Sequence, residues 1–174
     1  QFIKNYENLD FNFNILGDSS IIVPIGDYSN WIHKIEIETA NQRKLVYEIE
    51  INTGGFWSGN KTEYQNTLTI RPFSGFNISF GYDHRFVKLE EGEFKTNLIR
   101  FIGDFDFSPF TSFSSNIQFD DVSEIIGMNN RFRHTIVPGS DIYLVYNHNW
   151  INHENKFKTI SNIGVTKITY THRF

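Results

Sequence analysis

The chain has 174 residues, 39% hydrophobic, 21% charged and 17% aromatic, with 18 Phe, 8 Tyr and 3 Trp and a net charge of −4. Cysteine is absent, which excludes disulfides, thiol chemistry and thiolate metal sites, and the mild acidity offers nucleic acid no basic footprint. No run of roughly 18 apolar residues occurs, so no membrane-crossing helix is expected. A chain that is polar on average yet aromatic-rich is instead what a membrane β-barrel presents, because its outward and inward side chains alternate and cancel.

Period-2 alternation predicts ten strands, at residues 6–16, 32–40, 44–56, 61–71, 75–87, 95–107, 111–121, 128–137, 141–151 and 163–174. In the third, Tyr47, Ile49 and Ile51 alternate with Glu48 and Glu50. In the fifth, Phe76, Ile78, Phe80, Tyr82, His84 and Phe86 alternate with small, polar or charged residues. Short connections rich in Pro and Gly are expected at Arg71-Pro72-Phe73-Ser74-Gly75, Ser108-Pro109-Phe110 and Val137-Pro138-Gly139-Ser140. Longer polar ones are expected at 54–60, 88–93, 122–127 and 152–162. From the third strand on the two sets alternate, as periplasmic turns and extracellular loops do in an outer-membrane barrel. No cationic and apolar leader opens the chain at Gln1, so the sequence reads as mature or trimmed.

The charges sort by face. Lys34, Glu36 and Glu38 oppose Ile35 and Ile37; Lys61, Glu63 and Arg71 oppose Tyr64, Leu68 and Ile70; Lys167 and Arg173 oppose Ile168, Tyr170 and Phe174. Asp83, Arg85, Arg100, Asp104, Asp106, Asp120, Arg131 and Arg133 likewise stand away from the aromatic side and form a candidate interior lattice of paired charges. A Lys or Arg facing lipid at mid-bilayer costs roughly 2–4 kcal/mol, which explains such segregation. A soluble barrel or sandwich has the same alternation pointing inward. The large apolar side chains of about ten strands would overfill a closed interior of that size, although a two-sheet sandwich escapes this volume limit. The reading is therefore an all-β, antiparallel, up-and-down transmembrane β-barrel of about ten strands, filling residues 1–174 alone or as the C-terminal part of a larger barrel.

Trp31, Trp57, Tyr146 and Trp150 fall at or near predicted strand ends, where amphipathic rings favour a membrane–water interface. The final strand alternates Ile168, Tyr170, His172 and Phe174; Tyr170 and the terminal Phe174 resemble the aromatic signal by which outer-membrane barrels are recognised for assembly. Further resemblance lies in Asn116-Ile117-Gln118-Phe119-Asp120-Asp121-Val122-Ser123, Asn130-Arg131-Phe132-Arg133, Pro138-Gly139-Ser140-Asp141-Ile142-Tyr143-Leu144-Val145-Tyr146-Asn147 and 167–174. These runs resemble a family of Bacteroidota surface proteins in which a carbohydrate-binding-like N-terminal module precedes a large C-terminal β-barrel of uncharacterised function. The likeness extends from about Arg71 onward. It implies fold and compartment, and a link to glycan use only through a module this chain lacks.

Chemistry is sparse. His33, His84, His134, His148, His153 and His172 include no His-Glu-x-x-His spacing; His148, His153 and Glu154 flank a predicted loop where an outer-membrane enzyme would place rim residues. No Gly-x-Ser-x-Gly elbow or phosphate-cradling loop occurs. The expectation is no catalytic residue, no metal and no cofactor. The expected role is a pore, uptake component or structural subunit of a surface assembly in a bacterial outer membrane. Its partners would be lipid or lipopolysaccharide, the barrel assembly machinery, and other subunits or a further N-terminal part of the same protein. An outer-membrane enzyme, or a soluble β-domain binding an apolar ligand, are the alternatives.

Overall fold

A computed structural model describes residues 1–17, 21–154 and 156–171, and no helix is found among them. The strands are β1 (Phe2–Leu9), β2 (Phe13–Asn14), β3 (Ile22–Val23), β4 (Gly26–Glu38), β5 (Leu45–Phe56), β6 (Gly59–Ile70), β7 (Phe76–Lys88), β8 (Glu93–Ser108), β9 (Thr111–Asp120), β10 (Ile125–Val137), β11 (Ser140–His153) and β12 (Lys156–Thr169). Ten form one antiparallel sheet in the order β1-β4-β5-β6-β7-β8-β9-β10-β11-β12, and β2 and β3 pair separately. The expected ten-stranded, up-and-down antiparallel sheet is present. Closure is not: β1 and β12 each have one hydrogen-bonded neighbour in the ladder.

Several boundaries differ from the alternation. The first strand ends at Leu9 rather than continuing to 16. The Asn12 side chain accepts the Ile25 amide, the Asn14 side chain accepts the Gly17 amide, and Gly17 takes a left-handed φ of 77°, so local polar bonds replace the ladder there. The expected loop at 54–60 is a two-residue turn at Trp57 and Ser58, and most of the expected loop at 152–162 is strand. The glycines at 54, 55 and 59 read as a loop but instead permit close strand approach. The polar 152–162 stretch needs no alternation, because its ladder bonds are backbone and its residues are mostly exposed. The length contrast between the two sets of connections is consequently lost. Residues 57–58, 109–110 and 138–139 are two-residue turns, 89–92 and 121–124 have four residues, and 71–75 and 39–44 are longer.

The chain divides into two compact units. The first comprises 1–39, 47–67 and 82–97. It holds a small core of Ile21, Val23, Val87 and Leu89, against which Leu9, Ile15, Leu16, Tyr28, Phe56, Trp57 and Phe94 pack. Leu9 and Tyr28 lie on the same side of the β1–β4 pair, and Val87 and Phe56 lie opposite the aromatic residues of their own strands. The segment containing β2 and β3 thus packs on the charge-bearing side.

The second unit comprises 40–46, 68–81 and 98–174, and its buried aliphatic residue is Val46. The buried aliphatic residues among those described number five, Ile21, Val23, Val46, Val87 and Leu89. The apolar side chains lie elsewhere.

Candidate functional site

Side chains of directly opposed residues project on one side of a sheet, so the register assigns both faces. In the first unit Ile35 opposes Ile51 and Ile37 opposes Ile49, while Lys34 opposes Asn52 and Glu36 opposes Glu50. The isoleucines are bare: Ile35 is 56% and Ile37 63% exposed. In the second unit Phe105, Phe113, Phe132 and Leu144 form one cross-strand row, and Phe101, Ile117, Met128 and His148 another. Here Phe101 at 36%, Leu144 at 45% and the neighbouring Phe107 at 60% are exposed, while Phe105, Phe113 and Phe132 are half-buried. Gly103 is buried within this face because the Phe105 and Phe101 rings fold over it. Rings also meet one another, Phe73 with Phe76 at 4.2 Å and Phe76 with Phe105 at 5.3 Å.

The ring-bearing face also carries polar groups within the strands. Tyr82 Oη donates to Asn97 Oδ1 at 2.7 Å, and His84 Nδ1 lies 2.8 Å from the same oxygen. Tyr146 Oη and His148 Nδ1 are 2.8 Å apart, His148 stacks on Trp150 at 3.8 Å, and His148 Nε2 meets Thr159 Oγ1 at 2.9 Å. The structure therefore joins Tyr146 and Trp150 through His148, within β11. Trp31 stands mid-strand in β4, 56% exposed opposite Lys4. Trp57 turns into the small core, against Phe56 at 4.2 Å and Phe13 at 5.4 Å. Tyr170 follows β12 and is exposed; His172, Arg173 and Phe174 lie outside the described residues. Lys4 and Asp27 are charged yet share the side of Phe2, Trp31 and Tyr6, with Asp27 accepting from Tyr6 Oη at 2.8 Å and Asn8 Nδ2 at 2.7 Å.

On the other face the charges are arranged in lateral networks. Lys34 Nζ bridges Glu50 at 2.7 Å and Glu36 at 3.2 Å. Glu63, 7% exposed, accepts Arg85 Nη2 at 2.7 Å, with Lys61 Nζ at 3.3 Å and Gln65 Nε2 at 3.2 Å. Arg133 Nη2 lies 3.1 Å from Asp141 Oδ1, which also accepts Thr135 Oγ1 at 2.5 Å. Of the eight predicted lattice residues, Arg85 and Arg133 thus pair with Glu63 and Asp141, carboxylates outside that set. Seeing them requires register, because each partner lies on a different strand or across a turn.

Asp104, Ser114 and Arg131 share one row, and Asp106, Ser112 and Arg133 the next, so serines of β9 separate those carboxylates from those arginines. The Arg100 guanidinium lies over Gly81. Asp83 sits half-buried on β7 and has interactions of its own. Asp120 caps the β9–β10 turn, accepting Val122 N at 3.0 Å and Ser123 Oγ at 3.0 Å. Among the described residues no three His, Cys, Asp or Glu side chains gather as a metal site.

The Glu63–Arg85 pair is testable. Glu63→Ala leaves the half-exposed Arg85 and the more enclosed Lys61 without their shared carboxylate, and is expected to destabilise the fold by about 1–2 kcal/mol after allowing for solvent screening. Glu63→Gln should lose less, and an Arg85→Ala double-mutant cycle in urea unfolding measures the coupling. Additive single and double mutants would show no coupling.

No protein-family model matches the chain, and no curated protein matches it in sequence.

Proposed function

We propose that this chain forms the wall, or a large part of the wall, of a bacterial outer-membrane β-barrel. In this reading it serves as a pore, uptake component or structural subunit of a surface assembly. The observation that carries the reading is that one side of the strands holds cross-strand rows of Phe, Ile and Leu that are half-buried to exposed, Ile35, Ile37, Phe101 and Leu144 among the exposed ones, opposite laterally paired charges. In water such rows are covered by a second layer; in a bilayer, hydrocarbon covers them and the charged side turns to an aqueous interior. The reading rests on the faces and not on loop lengths, which do not alternate.

In hydrocarbon no strand edge stays unpaired. The reading therefore requires a completed ladder, closed within this chain or by strands from other subunits or from more of the same protein. Lipid or lipopolysaccharide would lie against the rings, and the barrel assembly machinery would insert the chain. Any link to glycan use rests only on the resemblance, by analogy with that family's N-terminal module.

The purified chain should fold only with detergent or lipid present, migrate differently in gels before and after boiling, and raise ion conductance when added to planar bilayers if its interior is open. A monomer that folds fully in detergent-free buffer would remove the membrane reading in favour of a soluble β-domain. A detergent-dependent barrel without conductance would leave the structural-subunit role and remove the pore.

A further inference from the structure

The charge-bearing side of β9–β12 carries a second pattern, one without charge. Asn116, Asn129 and Asn147 oppose one another on three consecutive strands. The neighbouring row on the same side runs Gln118, Gly127, Asn149 and Ser161. With strands about 4.8 Å apart and same-face residues about 6.8 Å apart along a strand, these amides form a flat grid lining a groove of about 470 Å³. That volume lies within the range of small-molecule sites, roughly 300–1,000 Å³.

We propose that this groove binds an uncharged polyhydroxylated ligand, a saccharide of one or two rings. Each amide offers two N–H donors and a carbonyl with two lone pairs, so adjacent amides match hydroxyls, which both donate and accept. Asn129 Nδ2 donates to Asn147 Oδ1, and Asn149 Nδ2 donates to Ser161 Oγ at 3.0 Å. These bonds tie Asn129 to Asn147 and Asn149 to Ser161, and all four line the groove beside Asn116 and Gln118.

The one ionisable group in the lining is Asp120, whose two oxygens are engaged by the Val122 amide and the Ser123 hydroxyl. An anionic ligand therefore finds no counter-charge, and the one carboxylate is already held by its own turn. Gly127 leaves the floor open between Gln118 and Asn149; a Cβ there would sit 3.2 Å from Asn149 Oδ1. Ile163, in the row of Asn147, supplies an exposed apolar surface for the C–H side of a sugar ring. The groove lies opposite the ring-bearing face, so the proposal holds whatever covers that face.

The test is titration of the full chain, folded in non-ionic detergent without a sugar headgroup, with maltose, cellobiose, lactose and sucrose, read by side-chain amide NMR shifts and calorimetry. At least one sugar should saturate in the millimolar range and shift the amides of Asn116, Asn129, Asn147 and Asn149. Asn129→Leu and Gly127→Leu should each weaken that binding at least tenfold, whereas Asn66→Leu, outside the groove, should leave it unchanged. Failure of all four sugars to saturate at tens of millimolar, or equal binding by the wild-type and the folded Asn129→Leu and Gly127→Leu proteins, would overturn the proposal. The wild-type titration decides even if a variant fails to fold.

Discussion

Phe101→Lys is expected to lower the folding free energy in phospholipid vesicles by about 2–4 kcal/mol, the cost of a mid-bilayer lysine on a lipid-facing strand. Phe101 lies at the middle of β8, in one row with Ile117 and Met128, and is 36% exposed. The Phe101→Ser variant measures the packing lost with the ring alone, so the further loss from lysine over serine reports the medium that the face meets. The control is Ser114→Lys on the opposite face, flanked in register by Asp104 and Arg131. In the proposed barrel water would hydrate the new ammonium there, and one neighbour attracts it while the other repels it, so a loss below about 1 kcal/mol is expected. Urea titration of vesicle-bound protein measures all three. Equal losses from lysine over serine at the two positions would show that the two faces meet the same medium.

Gly59→Val is expected to abolish folding or cost more than about 3 kcal/mol, among the largest single-residue effects. A Cβ at Gly59 would land on the Lys88 carbonyl oxygen and 2.7 Å from the Leu89 Cα, both backbone atoms that cannot rotate away. Leu89 belongs to the small core with Ile21, Val23 and Val87, so a displaced backbone would open the best-packed part of that unit. Gly164, on β12, provides the contrast. A Cβ there meets nothing within 4 Å, and Gly164→Ala should be neutral or stabilise by up to about 1 kcal/mol. Equal destabilisation at the two positions would mean that β6 does not approach residues 88–89 so closely.

Most of the middle of the sheet was legible because alternation persists where one face must stay apolar along its length. β5 through β11 begin and end within three residues of the alternating runs. The ends were harder. In β1 the ring-bearing side mixes Phe2 and Tyr6 with Lys4 and Asn8, so period 2 carries little signal. In β12 a bulge between Asn149 and Trp150 of its partner shifts the alternation at Ile160 and hid the strand inside an apparent loop. The small core was missed for a related reason. Phe56, Val87 and Phe94 are apolar residues on the charge-bearing side, and one or two such positions per strand look like irregularities until β2 and β3 are seen to cover them.

Among candidate residues, the faces of Arg85 and Arg133 were readable from parity alone. Their partners Glu63 and Asp141 depend on cross-strand register. The amide grid was invisible for the same reason: Asn116, Asn129 and Asn147 are far apart in sequence, and only strand pairing brings them together.

The native chain contains no cysteine, so single substitutions provide unique labelling positions. Phe101→Cys, Leu144→Cys and Ser114→Cys, each carrying a nitroxide and folded in phospholipid vesicles, can be compared for collision with oxygen, which concentrates in hydrocarbon, and with a water-soluble nickel chelate. The expected result is oxygen-dominated relaxation at 101 and 144 and nickel-dominated relaxation at 114. Nickel access at 101 and 144 as free as at 114, or folding of all three proteins without lipid, would contradict the contact between the ring-bearing face and the membrane.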